Sequence, residues 1–133
     1  MIEYMLDTNI CIYMIRNKSD KVLRHIERLR PQQICISFIT LAELEYGVYK
    51  SIYPDKAQSA LEQFLAGIEV LPMTAEIAKE YGILRSDLER KGTPIDPNDL
   101  FIAAHAKTVG VTLISNNIKE FSIVSGLKLE NWA

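Results

Sequence analysis

The residues of this chain best placed to do chemistry are carboxylates, and they recur where structural elements should begin. Asp7 follows the short apolar run Tyr4-Met5-Leu6, which reads as a buried strand. Glu43 stands in Thr40-Leu41-Ala42-Glu43, the opening of an apparent helix. Asp96 and Asp99 flank the start of another, and Asn116, Asn117 and Glu120 follow the β-branched run Val111-Thr112-Leu113-Ile114. In open α/β sheets, ligand sites lie just beyond the carboxyl ends of strands. Acids gathered along such an edge repel one another unless a cation or protons neutralise them. An oxygen-only set without His or Cys suits Mg²⁺ or Mn²⁺.

Each acid also has a plainer reading. Asp7 could be a helix N-cap, although Thr8 and Asn9 are available for that job. Thr40-x-x-Glu43 matches a capping box, in which the Glu reaches back to the cap's own N–H. Asp96 before Pro97 is an ordinary helix start. Asp99 falls at the third helical position, where the helix dipole favours negative charge. Asn116, Asn117 and Glu120 make a simple polar loop. Singly these signals are weak; together they set three or four acids along one sheet edge.

Other chemistries find little support. His25 lies on an expected surface helix and His105 well inside an apolar one, so both read as structural. Cys11 and Cys35 are isolated in apolar surroundings and read as reduced buried thiols of a cytosolic protein. There is no Gly-rich phosphate loop, nucleophile elbow or Cys–His pairing.

The elements that must position the acids can be read in order. A first strand leads into a helix from Asp7 to Arg16. Asn17-Lys18 breaks it, Ser19 caps a second helix with Val22, Ile26 and Leu29 on one face, and Pro31 ends that helix. Ile34 to Ser37 is a second strand, and Thr40 opens a third helix. Lys56 to Ala66 is a fourth helix and Ile68 to Leu71 a third strand. Thr74 caps a long fifth helix that Gly92 stops. Asp99 to Thr108 is apolar almost all round, so it should be central and buried. Val111 to Ile114 is a fourth strand, with Leu127 to Leu129 a fifth at an edge. Strands alternating with helices predict a mostly parallel sheet of four to five strands, covered on both faces: a three-layer α/β/α domain spanning 1–133.

Composition agrees with this. With 133 residues, 48% hydrophobic and 24% charged, the chain suits one ordinary globular core. Its net charge of −2 does not advertise a nucleic-acid binder, but 15 Lys and Arg leave room for a local basic rim. No basic leader is visible, and no apolar run approaches the roughly 20 residues of a spanning helix, so a cytoplasmic protein without membrane contact is expected.

Taken in order, the acid-bearing segments resemble the PIN-domain ribonucleases, specifically the toxins of VapBC-type toxin–antitoxin systems. The matching pieces are Met5-Leu6-Asp7-Thr8-Asn9, Thr40-Leu41-Ala42-Glu43-Leu44, Asn98 through Ala106, Leu113-Ile114-Ser115-Asn116-Asn117 with Glu120-Phe121, and the closing Gly126-Leu127 and Glu130-Asn131-Trp132. The resemblance implies an acidic pocket formed by Asp7, Glu43 and Asp99, holding Mg²⁺ or Mn²⁺ and cutting RNA, with a structured RNA such as tRNA fitting the family. Where relatives often carry a fourth acid, this chain has the amide Asn117, with Glu120 one turn further on; Asp96 is an extra acid nearby. It also implies a VapB-type antitoxin encoded beside the chain, pushing an Arg into the pocket, and a homodimer through helices bearing Tyr46, Tyr49 and Tyr53.

On that resemblance the expected reaction is phosphodiester hydrolysis, with metal at Asp7 and Asp99 and with Glu43 orienting the attacking water. Two rivals stand beside it. A receiver-type phosphoacceptor would want paired acids after the first strand and an Asp ending the third, where the chain instead has a single Asp7 and Val70-Leu71-Pro72. A PIN-like module that has lost catalysis and only grips RNA or protein draws on the amide at Asn117.

Overall fold

The computed structural model describes residues 1–16 and 20–132. The expected break at Asn17-Lys18 and the expected cap at Ser19 lie outside the described residues. Five strands and seven helices follow in the order β1 (Tyr4–Leu6), α1 (Thr8–Ile15), α2 (Asp20–Glu27), β2 (Ile34–Ser37), α3 (Phe38–Lys50), α4 (Pro54–Leu65), β3 (Glu69–Leu71), α5 (Ala75–Arg90), α6 (Pro97–Val109), β4 (Thr112–Ile114), α7 (Ile118–Phe121) and β5 (Leu129–Glu130).

All strand pairings are parallel and the spatial order is β3-β2-β1-β4-β5, with the expected edge strand β5 in place. The chain therefore builds outward from β1 in one direction, then crosses back to add β4 and β5 on its other side. The crevice at that reversal, between the carboxyl ends of β1 and β4, is where an open sheet of this kind receives a ligand.

Successive strand residues face opposite sides of the sheet. Met5, Cys35 and Leu113 pack with α5, α6, Phe121 and Val124 on one face. Leu6, Ile34, Ile36 and Ile114 pack with α1 to α4 and Trp132 on the other. Both faces are thus covered, as the near-continuous apolar strands require. α6 is as buried as its composition implies: Leu100, Ile102, Ala103, Ala104, His105 and Ala106 are all inside. Gly110, at φ 79°, closes it in the left-handed conformation that a residue with a Cβ enters only at a cost. Thr74 caps α5 as expected, accepting from the Ile77 N–H at 3.3 Å.

Several boundaries shift by one or two residues, α4, α6 and β5 among them, and three differences bear on the caps. α1 is capped by Asp7 itself, not by Thr8 or Asn9. α2 stops at Glu27, and Pro31 opens a short 3-10 turn instead of ending the helix. α3 starts at Phe38, capped by Ser37, the last residue of β2. Phe38-Ile39 looks like more strand to a propensity argument, yet the Ser37 hydroxyl takes the Ile39 N–H at 3.2 Å and turns the chain at once.

Among the described residues, no helix is long and apolar enough to cross a membrane.

Candidate active site

The site begins where β1 and β4 end side by side. Leu6 pairs with Ile114, so the residues that follow them, Asp7 and Ser115, emerge together. The Asp7 N–H donates to the Ile114 carbonyl at 3.0 Å and continues the ladder one step past the strands. The Asp7 carboxylate is 4% exposed. Its Oδ1 accepts the Ile10 N–H at 2.9 Å, which is the α1 cap, and its Oδ2 accepts the Ser115 hydroxyl at 2.5 Å. Capping and site membership are therefore compatible, since an ionised carboxylate offers about four acceptor positions. Burial raises the pKa of Asp7, outweighing the hydrogen bond from Ser115, and the charge of Glu43 adds to the rise. Ser115 is held in turn, accepting the Asn117 N–H at 2.9 Å.

Glu43 comes from α3. Because that helix starts at Phe38, Thr40 lies inside its first turn and cannot be its cap, so the capping-box role does not exist. Glu43 instead sits in the second turn and reaches sideways. Its Oε1 accepts the Thr8 hydroxyl at 2.5 Å, and its Oε2 lies 3.5 Å from the Asn98 amide nitrogen. Thr8 also lies 3.3 Å from the buried Thr40 hydroxyl. β2 and α3 are fixed to the sheet's other side by His105, whose Nδ1 is 2.8 Å from the Ser37 hydroxyl. Burial lowers the pKa of His105 and keeps it neutral, in the structural role its position on α6 implies.

Asp96 and Asp99 open α6. Asp96 is the N-cap, accepting the N–H groups of Asn98 at 3.0 Å and Asp99 at 3.3 Å, with Pro97 following as expected. Asp99 is partly buried and faces α7, where it meets Glu120. Its pKa is pushed up to about 8, first by burial, then by sharing a proton with Glu120, then by the charges of Glu120, Asp96 and Glu43. One Glu120 carboxylate oxygen is buried with no hydrogen-bond partner among the described residues.

The structure thus gathers Asp7, Glu43, Asp99 and Glu120, with Asp96 at the margin. Asn117 precedes α7 without a side-chain cap bond, and its backbone N–H donates to Ser115, one hydrogen bond removed from Asp7. Sequence reasoning missed Ser115, Thr8 and Asn98 as carboxylate partners. The available signal for Ser115 was that it follows β4 as directly as Asp7 follows β1.

The donors fit a hard divalent cation. All are oxygens, and no Lys or Arg is ion-paired to these acids among the described residues. An orphaned buried carboxylate oxygen and a raised pKa at Asp99 are what such a set shows when nothing positive is beside it. Among the described residues no three His, Cys, Asp or Glu side chains already close on one point. Glu43 links the acids: its charge acts on both Asp7 and Asp99.

Comparison with known proteins agrees with this geometry. The PIN domain family model matches residues 4–127. The chain is 48% identical to ribonuclease VapC2 of Rickettsia felis over 97% of each chain, and 41% identical to the tRNA(fMet)-specific endonuclease VapC of Salmonella typhimurium over 99% of each. Its fold superposes with a TM-score of 0.92 on a chain of Rickettsia felis VapBC2 bound to a DNA fragment from their promoter, at 46% identity and covering 100% of both chains. For DNA-bound VapBC from Salmonella typhimurium the score is 0.94, at 41% identity and the same coverage. The chain belongs to the PIN-domain family, among the VapC ribonucleases.

Proposed function

We propose that this chain is the toxin of a toxin–antitoxin pair, a Mg²⁺-dependent endoribonuclease that hydrolyses phosphodiester bonds at the crevice between β1 and β4. The observation that carries the reading is the facing of Asp7, Glu43, Asp99 and Glu120 with no cationic side chain paired to them among the described residues. A hard divalent cation supplies what the set lacks: it lowers the pKa of a bound water and offsets charge on the phosphate. Asp7 and Asp99 are the proposed ligands, with Glu120 and not Asn117 as the fourth acid.

The chain's own residues prepare the site. Ser115 donates to one oxygen of Asp7 and Ile10 to the other, so the carboxylate is fixed in direction before anything binds. Thr8 donates to one oxygen of Glu43 and holds the carboxylate in place, where it can act as base toward the attacking water. The proton between Asp99 and Glu120 must leave as positive charge arrives. A binding-only module drew on the amide at Asn117, and Glu120 supplies the carboxylate which that position lacks.

Relatives point to substrate and partner. The Salmonella protein is named for tRNA(fMet), and a structured tRNA is the proposed target here. The solved relatives are toxin–antitoxin complexes, and the proposed partner is a VapB-type antitoxin encoded beside this chain. A groove of ≈ 980 Å³ between α1, α3 and α4 suits it, being walled by Ile12, Ile15, Leu44, Val48 and Leu61 and bordered by Glu43 and Asn98. An antitoxin Arg at that border would pair with the clustered carboxylates. Exposed Tyr46, Tyr49 and Tyr53, at 67%, 80% and 67%, are the proposed homodimer contact, to be checked by light scattering.

The test is purified protein with Mg²⁺ on total RNA, with the cleavage ends mapped. Cleavage that stops in chelator and returns with Mg²⁺ or Mn²⁺ is expected. Undiminished cleavage in chelator would overturn the metal mechanism.

A further inference from the structure

The crevice poses a problem for a polyanion, because the acids that hold a cation also repel RNA phosphates. Some other part of the chain must attract the strand. Net charge hides where: between Arg16 and Arg30 the sequence carries six basic residues (Arg16, Lys18, Lys21, Arg24, Arg28 and Arg30) against only Asp20 and Glu27. Everything else holds nine Lys and Arg against fifteen Asp and Glu.

The fold turns that run into a face. Along α2 and the turn that follows it, Lys21, Arg24 and Arg28 recur at helical spacing, all exposed, and none has an ion-pair partner among the described residues. The opposite side is spent on the protein: Val22 is fully buried, and Ile26 and Leu29 pack into the same cluster as Trp132. Exposed His25 is laid flat on Trp132, with ring centroids 5.0 Å apart and planes 7° from parallel. Residues three and four apart on a helix stand about 5–6 Å from each other, close to the spacing of phosphates along a strand.

We propose that the Lys21-Arg24-Arg28 face of α2 is the electrostatic dock for the RNA substrate, gripping backbone phosphates while the strand enters the acidic crevice. This rests on the ribonuclease reading above. α2 packs on α1, and α1 begins at the Asp7 cap. At 1.5 Å per residue an eight-residue helix spans roughly 12 Å, so dock and crevice lie within reach of one short stretch of RNA. A membrane surface is the weaker fit, because an interfacial helix must offer its apolar face to lipid and this one has buried it.

The test compares two triple variants with the same change in charge: Lys21→Gln/Arg24→Gln/Arg28→Gln on the dock, and Lys56→Gln/Lys79→Gln/Lys128→Gln elsewhere on the exposed surface. Binding of a poly(U) oligonucleotide and of a tRNA pool is measured across a salt series, in the Asp7→Asn background so that nothing is cut. Cleavage kinetics are measured with Asp7 restored. Removing three phosphate contacts should flatten the plot of log affinity against log salt by about 2, and weaken low-salt binding on the order of tenfold or more. The loss should fall on KM, and the control triple should stay near the parent. Equal weakening by both triples would reduce the effect to overall charge and overturn the dock. So would unchanged RNA binding by the α2 triple, or loss only of its binding to phosphatidylserine vesicles; either leaves the ribonuclease reading standing. A parent protein that neither binds nor cuts RNA would overturn both.

Discussion

The two halves of the crevice solve the same electrostatic problem in opposite ways. On the β1 side, Asp7 and Glu43 each receive a hydroxyl, from Ser115 and Thr8, and the hydrogen bonds run between elements distant in sequence. On the α6 side, Asp99 has Glu120 beside it, its pKa is pushed up by burial and by that neighbour, and one Glu120 oxygen has no hydrogen-bond partner among the described residues. The first half is held by hydrogen bonds that need no cation. The second half is at odds with itself until positive charge or a proton arrives. A site of this design holds its geometry from one side and senses occupancy from the other.

The largest effects should come from removing a carboxylate from either half, and they should separate the halves by stability. Asp7→Asn and Asp99→Asn should both take RNA cleavage to background in a gel assay. Asp99→Asn, which ends a repulsion, should melt higher than the parent in metal-free buffer above pH 8. Asp7→Asn should not, because its carboxylate already has two donors that an amide nitrogen would oppose. An Asp99→Asn protein with parental cleavage would remove Asp99 from the site.

Glu43→Gln should also stop cleavage while leaving the melting temperature near normal. Gln would have served equally in a capping box, but α3 is capped by Ser37, so no stabilising role is lost. Parental cleavage by this variant would leave Glu43 without a part in the chemistry.

Ser115→Ala should act more gently. It strips the donor from Asp7 Oδ2, with an expected loss of about 10–100-fold in metal affinity or activity and ~1–3 kcal/mol of stability. Denaturant melts with and without Mn²⁺ would read both. A variant indistinguishable from the parent would show that Asp7 needs no help in orientation.

The smallest effect is a slope. A carboxyl whose folded pKa lies above its unfolded value binds more protons in the native state between the two values, so stability falls as pH rises through that window. For Asp99 the window runs from the ordinary carboxylate range up to about 8. Metal-free protein should therefore lose stability from about pH 4 to pH 8, and the share of that slope due to Asp99 should vanish in Asp99→Asn.

Much of this was legible in the sequence, and the gaps have physical causes. Strand alternation, the apolar α6, the Thr74 and Asp96 caps and the order of the acids follow from local pattern. The start of α3 does not, because Phe38-Ile39 suits a strand and only the Ser37 hydroxyl turns it into helix. The Asp7–Ser115 bond spans 108 positions and depends on β4 pairing with β1, which no local pattern encodes. That Glu120 lies beside Asp99 likewise depends on how α7 sits against α6. α2 was read correctly as amphipathic, but the absence of ion pairs on its basic face among the described residues appears only once its neighbours are in place.

The most direct test of the acid cluster as a cation site is calorimetric titration of Mg²⁺ or Mn²⁺ at pH 7, in two buffers of different ionisation enthalpy. Metal binding to protonated ligands releases protons, and the account predicts roughly one released per cation by the parent protein, with none by Asp99→Asn, which should also bind more weakly. Binding by the parent without proton release, at an affinity that Asp99→Asn retains, would contradict it.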